Sequence, residues 1–216
     1  MANIILDYDG TIHDSRHIYV PAFREGVKHL TDNGLAPLCE YSDEEIAGYL
    51  GYSAQETWEL FMPDLEQKYR DESTKIVGAH MHKLTLEGKS VLYDGATEQL
   101  SELKALGHTL IFLSNCMHDY MESHRKAHNL DRFYSAFYCT EDFGFKAKPE
   151  IFREIEKRFN GDFIVVGDRH LDLEVARVHG LKSVGCLYGY CKDGELDGAA
   201  VKINSVKELS AAVKNI

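Results

Sequence analysis

Residues 6–15 read LDYDGTIHDS and place two carboxylates, Asp7 and Asp9, directly after the short apolar segment of residues 3–6. The apolar segment is typical of a buried strand, and the glycine that follows the second carboxylate ends it. Residues i and i+2 of a strand point to the same face. The two carboxylates are therefore expected to face one point, where they repel each other unless a cation or a proton intervenes. A solvated turn is the alternative interpretation.

Short apolar runs bounded by turn residues recur along the rest of the chain. They are TLIFL at 109–113, FIVVG at 163–167 and SVGCLY at 183–188. Continuous apolar runs are typical of strands that helices cover on both faces. Helical patterns such as GATEQLSELKALG and PEIFREIEKRF lie between them. This alternation predicts an α/β fold with a parallel sheet and helices on both of its faces.

Residues 15–89 interrupt the alternation, because this block shows helical patterns and no strand pattern. One predicted helix face carries apolar residues at helical spacing, and Ser42 with Glu45 and Ser53 with Glu56 are candidate capping boxes of further helices. The members of that face are Tyr19, Phe23, Val27 and Leu30. We therefore predict a core of residues 1–14 and 90–216 and an inserted all-helical domain of residues 15–89.

Polar residues follow the later strands at the edge where ligands of parallel sheets are usually bound. Ser114 and Asn115 end the second strand, where a hydroxyl and backbone N–H groups can bind a phosphoryl oxygen. Lys146 and Lys148 come just before a helix, where a lysine can neutralise a bound anion. Each of these features has a structural alternative when it is taken alone.

A third polar segment, GDRHLD, follows the strand at residues 163–167 and contains Asp168 and Asp172. Mg²⁺ is a hard cation that prefers carboxylates, water and phosphate oxygens as ligands. Because Asp7 and Asp168 both follow predicted strands of one parallel sheet, they are expected to converge around one such ion.

Composition narrows the classes of partner. Lys and Arg number 24 against 35 Asp and Glu, which gives a formal charge of -11. That balance argues against nucleic acid or an anionic membrane as the main partner. No apolar run approaches the ~18 residues that span a bilayer, and the N-terminus does not have the pattern of a signal peptide. Five cysteines without metal-ligand spacing indicate reduced thiols in the cytoplasm.

Four motifs in this order resemble those of the haloacid dehalogenase superfamily of phosphotransferases. DYDGT is similar to its DxDGT signature, LSN to its second motif, the lysine to its third and GDRHLD to its GDxxxD motif. LYDGATEQLSELKALGHTL and VGCLYGYCKDGEL resemble segments of its phosphoglycolate phosphatase-like branch. The resemblance covers essentially the whole chain. It implies a Rossmann-like core, with residues 15–89 as the helical cap.

The resemblance also implies an activity, a cofactor and roles for the carboxylates. We expect a Mg²⁺-dependent phosphatase that hydrolyses a small phosphorylated metabolite through an aspartyl-phosphate. Asp7 would be the nucleophile and Asp9 the general acid and base. Mg²⁺ would be held by Asp7, the backbone carbonyl of Asp9 and Asp168, with Asp172 in support. The protein itself is expected to be a monomer or a weak homodimer.

Phosphate binding would fall to Ser114, Asn115 and a lysine, with Thr11 in support. The family often reads K-P-x-P-x-I-F in its third motif, and an ungapped alignment with KAKPEIF assigns Lys146. Relatives with a lysine closer to the helix favour Lys148, which stands directly before a proline. We choose Lys148 and leave Lys146 as the alternative.

Three other functions compete with a phosphatase. A sugar-phosphate mutase of the β-phosphoglucomutase type usually has a histidine where this chain has Tyr19, which argues against it. A haloacid dehalogenase needs no acid at Asp9, and a non-catalytic phosphometabolite-binding protein needs no nucleophile at Asp7. Three residues near the expected entrance, His13, Arg16 and His17, are predicted to form a solvated helix start, with contact to the substrate as the alternative. Trp58 and Phe61 are predicted to lie in the interior of the helical block.

Overall fold

A computed structural model describes all 216 residues and shows a six-stranded parallel sheet with helices. The strands lie in the order β3-β2-β1-β4-β5-β6. Their bounds are β1 Asn3–Leu6, β2 Thr109–Ser114, β3 Tyr134–Cys139, β4 Phe163–Gly167, β5 Lys182–Cys186 and β6 Val201–Ile203. The predicted α/β fold with a parallel, Rossmann-like sheet is confirmed.

Nine α-helices accompany the strands. The first four are α1 Arg16–Asp32, α2 Asp43–Ala47, α3 Ala54–Phe61 and α4 Gln67–Leu86. The other five are α5 Ala96–Ala105, α6 His118–Ala127, α7 Lys148–Arg158, α8 His170–His179 and α9 Leu209–Lys214. No helix combines the length and the apolar character that crossing a bilayer requires.

The chain divides into two compact units. Met1–Asp14 and Leu92–Ile216 form one, which we call the core unit, and Ser15–Val91 form the other, the helical unit. All six strands and α5–α9 belong to the core unit, whereas α1–α4 make up the helical unit.

Strand β1 lies in the middle of the core unit, between β2 and β4. Ile5 is in register with Ile111 of β2 and Val165 of β4, and all four residues of β1 are buried. Alternate side chains of the central strands enter separate apolar clusters on the two faces of the sheet. This explains why the central strands are continuous apolar runs in the sequence.

Two strands have no apolar run in the sequence and were not predicted from it. Strands β3 and β6 are the two edges of the sheet. The first, YSAFYC, alternates in burial at its start, and the second, VKI, has only three residues. Edge strands are less completely covered than central ones, so their sequences carry a weaker apolar signal.

The helical unit has an interior built on aromatic rings. Phe23 of α1 stacks on Trp58 with ring centroids 5.2 Å apart. The ring of Phe61 packs edge-on against Phe23, with centroids 5.0 Å apart. The interior position predicted for Trp58 is confirmed, since that residue is buried, and Phe61 packs at the margin of the same cluster. On the predicted face of α1, Phe23, Val27 and Leu30 are buried and Tyr19 is half-buried.

Both predicted capping boxes are present in the helical unit. The Ser42 hydroxyl accepts the backbone N–H of Glu45 at 3.2 Å, and the Glu45 carboxylate accepts the backbone N–H of Ser42 in return at 2.7 Å. Ser53 and Glu56 form the same pair of bonds at the start of α3. These local signals predicted the starts of α2 and α3 correctly.

Candidate active site

The carboxyl ends of three neighbouring strands bring the predicted polar residues to one edge of the sheet. Asp7 follows β1, Ser114 ends β2 and Asp168 follows β4. The backbone N–H of Asp7 donates to the carbonyl of Val166 at 2.9 Å, which extends the β1–β4 ladder to the site. All three side chains are buried. Parallel strands end at a common edge, which is the physical reason for this convergence.

Three buried carboxylates, Asp7, Asp168 and Asp172, form what we call the carboxylate cluster. Each contributes an oxygen, and these oxygens lie within 4.8 Å of one another. Lys148 reaches into the cluster, with Nζ donating to Asp7 Oδ1 at 2.6 Å and to Asp172 Oδ1 at 2.5 Å. One lysine cannot balance three carboxylates, so the cluster carries an excess of negative charge when it is fully ionised.

The electrostatics of the cluster reflect this excess. Burial, followed by the charge of Asp172, raises the pKa of Asp7 to about 7, although Lys148 acts against the rise. Burial and the charge of Asp7 also raise the pKa of Asp168 well above its usual range. For Lys148, burial lowers the pKa, but Asp172 and Asp7 overcome it and the net pKa is raised. A divalent cation among these oxygens would allow all three carboxylates to ionise, and oxygen donors suit a hard cation.

Close backbone approaches leave no room for side chains next to the cluster. A Cβ added to Gly10, where φ is +83°, would lie 2.2 Å from Asp168 Oδ2. A Cβ added to Gly189 would lie 2.5 Å from that oxygen, and one added to Gly167 would lie 2.2 Å from the Asp172 Cβ. Such distances are far below van der Waals contact, so glycine at these positions is a requirement of the site.

The predicted phosphate-binding residues take different positions. Ser114 is buried at the end of β2 and Asn115 is half-buried beside it. Thr11 is buried, and its hydroxyl lies 3.4 Å from Asp7 Oδ2 and 3.5 Å from Asp168 Oδ1. Of the two candidate lysines, Lys148 begins α7 and enters the cluster, whereas Lys146 is exposed.

The prediction for His13 is wrong. It was expected at a solvated helix start, yet its side chain is fully buried and Nδ1 lies 2.9 Å from Asp9 Oδ1. The cause is a tight turn after β1, in which the carbonyl of Tyr8 accepts the backbone N–H groups of Ile12 and His13, both at 2.9 Å. Arg16 and His17 are exposed at the start of α1, as predicted.

A loop after β5 supplies contacts that the sequence analysis did not identify. The backbone N–H of Tyr190 donates to Asp168 Oδ2 at 2.6 Å, and the Tyr188 hydroxyl donates to the carbonyl of Thr11 at 2.7 Å. Glu195 accepts from Arg169 Nε at 2.8 Å, which ties the loop to the segment that carries Asp168. A backbone N–H can come from any residue type except proline, so no motif in the sequence could have indicated the first of these contacts.

Asp9 has a second neighbour that sequence reasoning missed. The hydroxyl of Tyr120, on α6, donates to Asp9 Oδ1 at 2.7 Å. The two residues lie 111 positions apart in the chain, so only the folded sheet brings them together. Asp9 therefore differs from the carboxylate cluster, because Tyr120 donates to its Oδ1 and His13 Nδ1 lies within hydrogen-bond distance of the same atom.

Comparison with known proteins gives consistent matches. The model of the haloacid dehalogenase-like hydrolase family matches residues 4–186. The chain is 27% identical over 204 residues to a phosphoglycolate phosphatase of Aquifex aeolicus (strain VF5), covering 89% of this chain and 87% of that protein.

Solved structures show the same fold. One, a Clostridium acetobutylicum protein described as a predicted phosphatase, superposes with a TM-score of 0.84 at 20% identity over 100% of both chains. Another, a candidate β-phosphoglucomutase from Thermotoga maritima, has a TM-score of 0.73 at 16% identity, also over 100% of both chains. Because these two proteins are described by different activities, the shared fold alone does not decide the reaction.

Proposed function

This chain belongs to the haloacid dehalogenase-like hydrolase family, and on that basis we propose that it is a Mg²⁺-dependent phosphatase of a small phosphorylated metabolite. The observation that carries the proposal is the buried cluster of Asp7, Asp168 and Asp172 with Lys148 among them. Buried carboxylates with too little positive charge suit a site for a divalent cation and a phosphate ester. The similarity to a phosphoglycolate phosphatase makes 2-phosphoglycolate the first substrate to test.

The reaction proceeds in two steps at Asp7. In the first, a carboxylate oxygen of Asp7 attacks phosphorus, the ester P–O bond breaks, and Asp9 gives a proton to the leaving oxygen. In the second, water attacks the aspartyl-phosphate, passes a proton to Asp9 and releases phosphate as the bond between Asp7 and phosphorus breaks. One carboxyl group thus serves first as acid and then as base.

The metal and the phosphoryl group have separate sets of residues. Asp7, the backbone carbonyl of Asp9 and Asp168 would hold Mg²⁺, and Asp172 would support the set from beside Lys148. The bound ion supplies positive charge that neutralises the carboxylates and the phosphoryl oxygens. Ser114, Asn115 and Lys148 would hold the phosphoryl group, with Thr11 in support.

The helical unit has a proposed role as a cap that chooses the substrate and excludes water. Its place in the chain supports this, because Ser15–Val91 are inserted shortly after β1 and the Asp7 that follows it. The chain passes between the units near residues 12–15 and 90–93, which are the proposed hinges. Structures with and without a bound phosphate analogue would test closure, and an unchanged orientation of the helical unit would argue against it.

Activity measurements test the proposed function. We expect phosphate release from p-nitrophenyl phosphate, and from at least one member of a metabolite panel that includes 2-phosphoglycolate, only when Mg²⁺ is present. Excess EDTA should abolish it, and Asp7→Asn should remove turnover because the attacking oxygen is lost. Full turnover in EDTA would refute the metal assignment. Halide release from a haloacid, or isomerisation of a sugar phosphate without phosphate release, would support a rival function instead.

A further inference from the structure

The carboxyl group of Asp9 is held through only one of its two oxygens. The Tyr120 hydroxyl donates to Oδ1 at 2.7 Å, and His13 Nδ1 lies 2.9 Å from the same atom. When the Asp9 carboxyl is ionised it can only accept hydrogen bonds, so in that form His13 donates to it from Nδ1. Neither donor acts on Oδ2, which belongs to a side chain that is 19% exposed, whereas His13 is fully buried.

The two donors are themselves held in place by packed rings. The ring of His13 stacks on Tyr8 with centroids 5.1 Å apart and planes 12° from parallel. His124 packs edge-on against His13 at 4.6 Å and contacts the Tyr120 ring at 4.1 Å. The Tyr8 hydroxyl and His124 Nδ1 are 3.0 Å apart, within hydrogen-bond distance. These contacts restrict the directions from which His13 and Tyr120 reach Asp9.

We propose that His13 and Tyr120 are positioning residues that hold Oδ1 of Asp9 and thereby direct Oδ2 to exchange the proton of the reaction. This inference rests on the proposed phosphatase function, in which Asp9 protonates the leaving oxygen and then deprotonates water. Proton transfer needs the donor and acceptor atoms within hydrogen-bond reach, so a carboxyl group that rotates freely transfers protons less efficiently. Neither residue contacts the reacting atoms in this scheme, and both act through Asp9.

The dependence of kcat/KM on the leaving group distinguishes a positioning role of His13 and Tyr120 from a merely structural one. An alkyl phosphate needs a proton on its leaving oxygen, whereas p-nitrophenolate leaves readily without one. The ratio kcat/KM covers the steps up to formation of the aspartyl-phosphate and so reports the acid step. Loss of a donor to Asp9 should therefore slow the alkyl ester selectively.

The cleanest variant is Tyr120→Phe, which removes the hydroxyl and keeps the ring. We expect kcat/KM for an alkyl phosphate to fall by about tenfold or more, with the 10²–10⁴ that general acid catalysis contributes as the upper limit. The same ratio for p-nitrophenyl phosphate should change by less than about threefold, and KM should stay near the parent value. Tyr134→Phe is the matched control, because the buried Tyr134 hydroxyl has no hydrogen-bond partner.

Substitutions at His13 provide a rescue test. His13→Leu removes the donor, whereas His13→Asn places an amide N–H near the position of Nδ1. We expect His13→Leu to show the same selective loss as Tyr120→Phe and His13→Asn to recover much of it. An equal loss on both esters with Tyr120→Phe, or a folded His13→Asn that is no better than His13→Leu, would overturn the inference.

A structural measurement keeps the inference testable even if the protein is not a phosphatase. In crystal structures, Asp9 should occupy a single orientation in the parent and more than one in the double variant His13→Leu with Tyr120→Phe. A single unchanged orientation in the double variant would refute positioning, whatever the activity assays give. Absence of phosphatase activity in the parent, with the expected change in Asp9, would refute the proposed function alone.

Discussion

The edge of the sheet in the core unit and the interior of the helical unit are both buried, but with opposite chemistry. Asp168 and Asp172 are 0% and 3% exposed in the first, and Phe23 and Trp58 are 1% and 2% exposed in the second. Burying aromatic rings stabilises a fold, whereas burying carboxylates costs free energy unless opposite charges compensate them. The helical unit is therefore organised for stability, and the carboxylate cluster is retained in spite of its cost, as is expected of a functional site.

The partners of each buried carboxylate decide how large that cost is. Lys148 donates to Asp7 and Asp172, and the backbone N–H of Tyr190 donates to Asp168. Glu195, by contrast, accepts hydrogen bonds from Arg169 and from the backbone of His170, whose ring Nδ1 lies 2.6 Å away. Accordingly the pKa of Asp7 is raised, while that of Glu195 is lowered to about 2 because these hydrogen bonds outweigh its burial. Burial alone therefore does not set the pKa of a carboxyl group, because the hydrogen bonds that reach it also count.

The largest effect on stability is expected from removing the ammonium group of Lys148 from the carboxylate cluster. Lys148→Met leaves Asp7 and Asp172 buried without their common partner, which should lower the free energy of unfolding by about 3–5 kcal/mol in metal-free protein. The Lys148→Met variant should also lose phosphatase activity. Urea unfolding in EDTA measures the first effect, and added Mg²⁺ should restore part of the stability.

Lys146→Met is the control for this prediction, because Lys146 is exposed two residues earlier in the chain. We expect it to change the unfolding free energy by less than about 0.5 kcal/mol. If the two lysine variants are equally stable and equally active, the assignment of Lys148 to the cluster is wrong.

A similar loss of stability without loss of a charged group is expected in the helical unit. Trp58→Ala opens a cavity beside Phe23 and leaves Thr74, which accepts from the indole N–H at 2.8 Å, without that partner. The expected cost is about 3–4 kcal/mol, and unlike the cost of Lys148→Met it should not respond to Mg²⁺. Leu60→Ala, at a side chain that is 56% exposed, serves as the control and should cost less than about 0.5 kcal/mol. If Mg²⁺ restored the stability of Trp58→Ala, the contrast between the helical unit and the carboxylate cluster would be wrong.

The smallest effect concerns Glu195, a half-buried residue whose carboxylate has enough donors. The pKa of Glu195 is about 2 in the folded protein, below its ordinary value of 4.5. Its stabilisation is therefore complete above pH 4.5 and is lost as the pH falls through 2. Glu195→Gln should lower the free energy of unfolding by about 2 kcal/mol at pH 7, less than the full pKa shift would give because solvent screens part of the interaction. This difference from the parent should shrink as the pH is lowered from 5 towards 2.

Unfolding free energies of parent and Glu195→Gln across that pH range in EDTA test the prediction. Glu174→Gln is the control, since Glu174 forms a surface ion pair with Arg177 at 3.0 Å and should contribute less than about 0.5 kcal/mol. If the difference in unfolding free energy between the parent and Glu195→Gln grew at low pH, the pKa of Glu195 would be shifted in the opposite direction to the one assigned.

Local patterns determined the central part of the fold and the first members of the site. The apolar runs of β1, β2, β4 and β5 predicted a parallel sheet, because strands buried on both faces need continuous apolar sequence. Asp7, Ser114 and Asp168 follow from the same pattern, since each lies where one of these runs ends. The capping boxes of α2 and α3 could also be predicted from the sequence, because each is complete within four residues.

Only the tertiary structure decided which groups surround these residues. Tyr120 reaches Asp9 across 111 positions, and the N–H of Tyr190 reaches Asp168 across 22. His13 became a buried partner of Asp9 through a backbone turn, and Lys148 was separated from Lys146 by where α7 begins. Spacing along a chain reports which face of an element a residue occupies, whereas contacts between distant segments depend on how the elements pack. The sequence therefore determined β1, β2, β4 and β5 and the carboxylates that follow β1 and β4, and packing decided which donors surround those carboxylates.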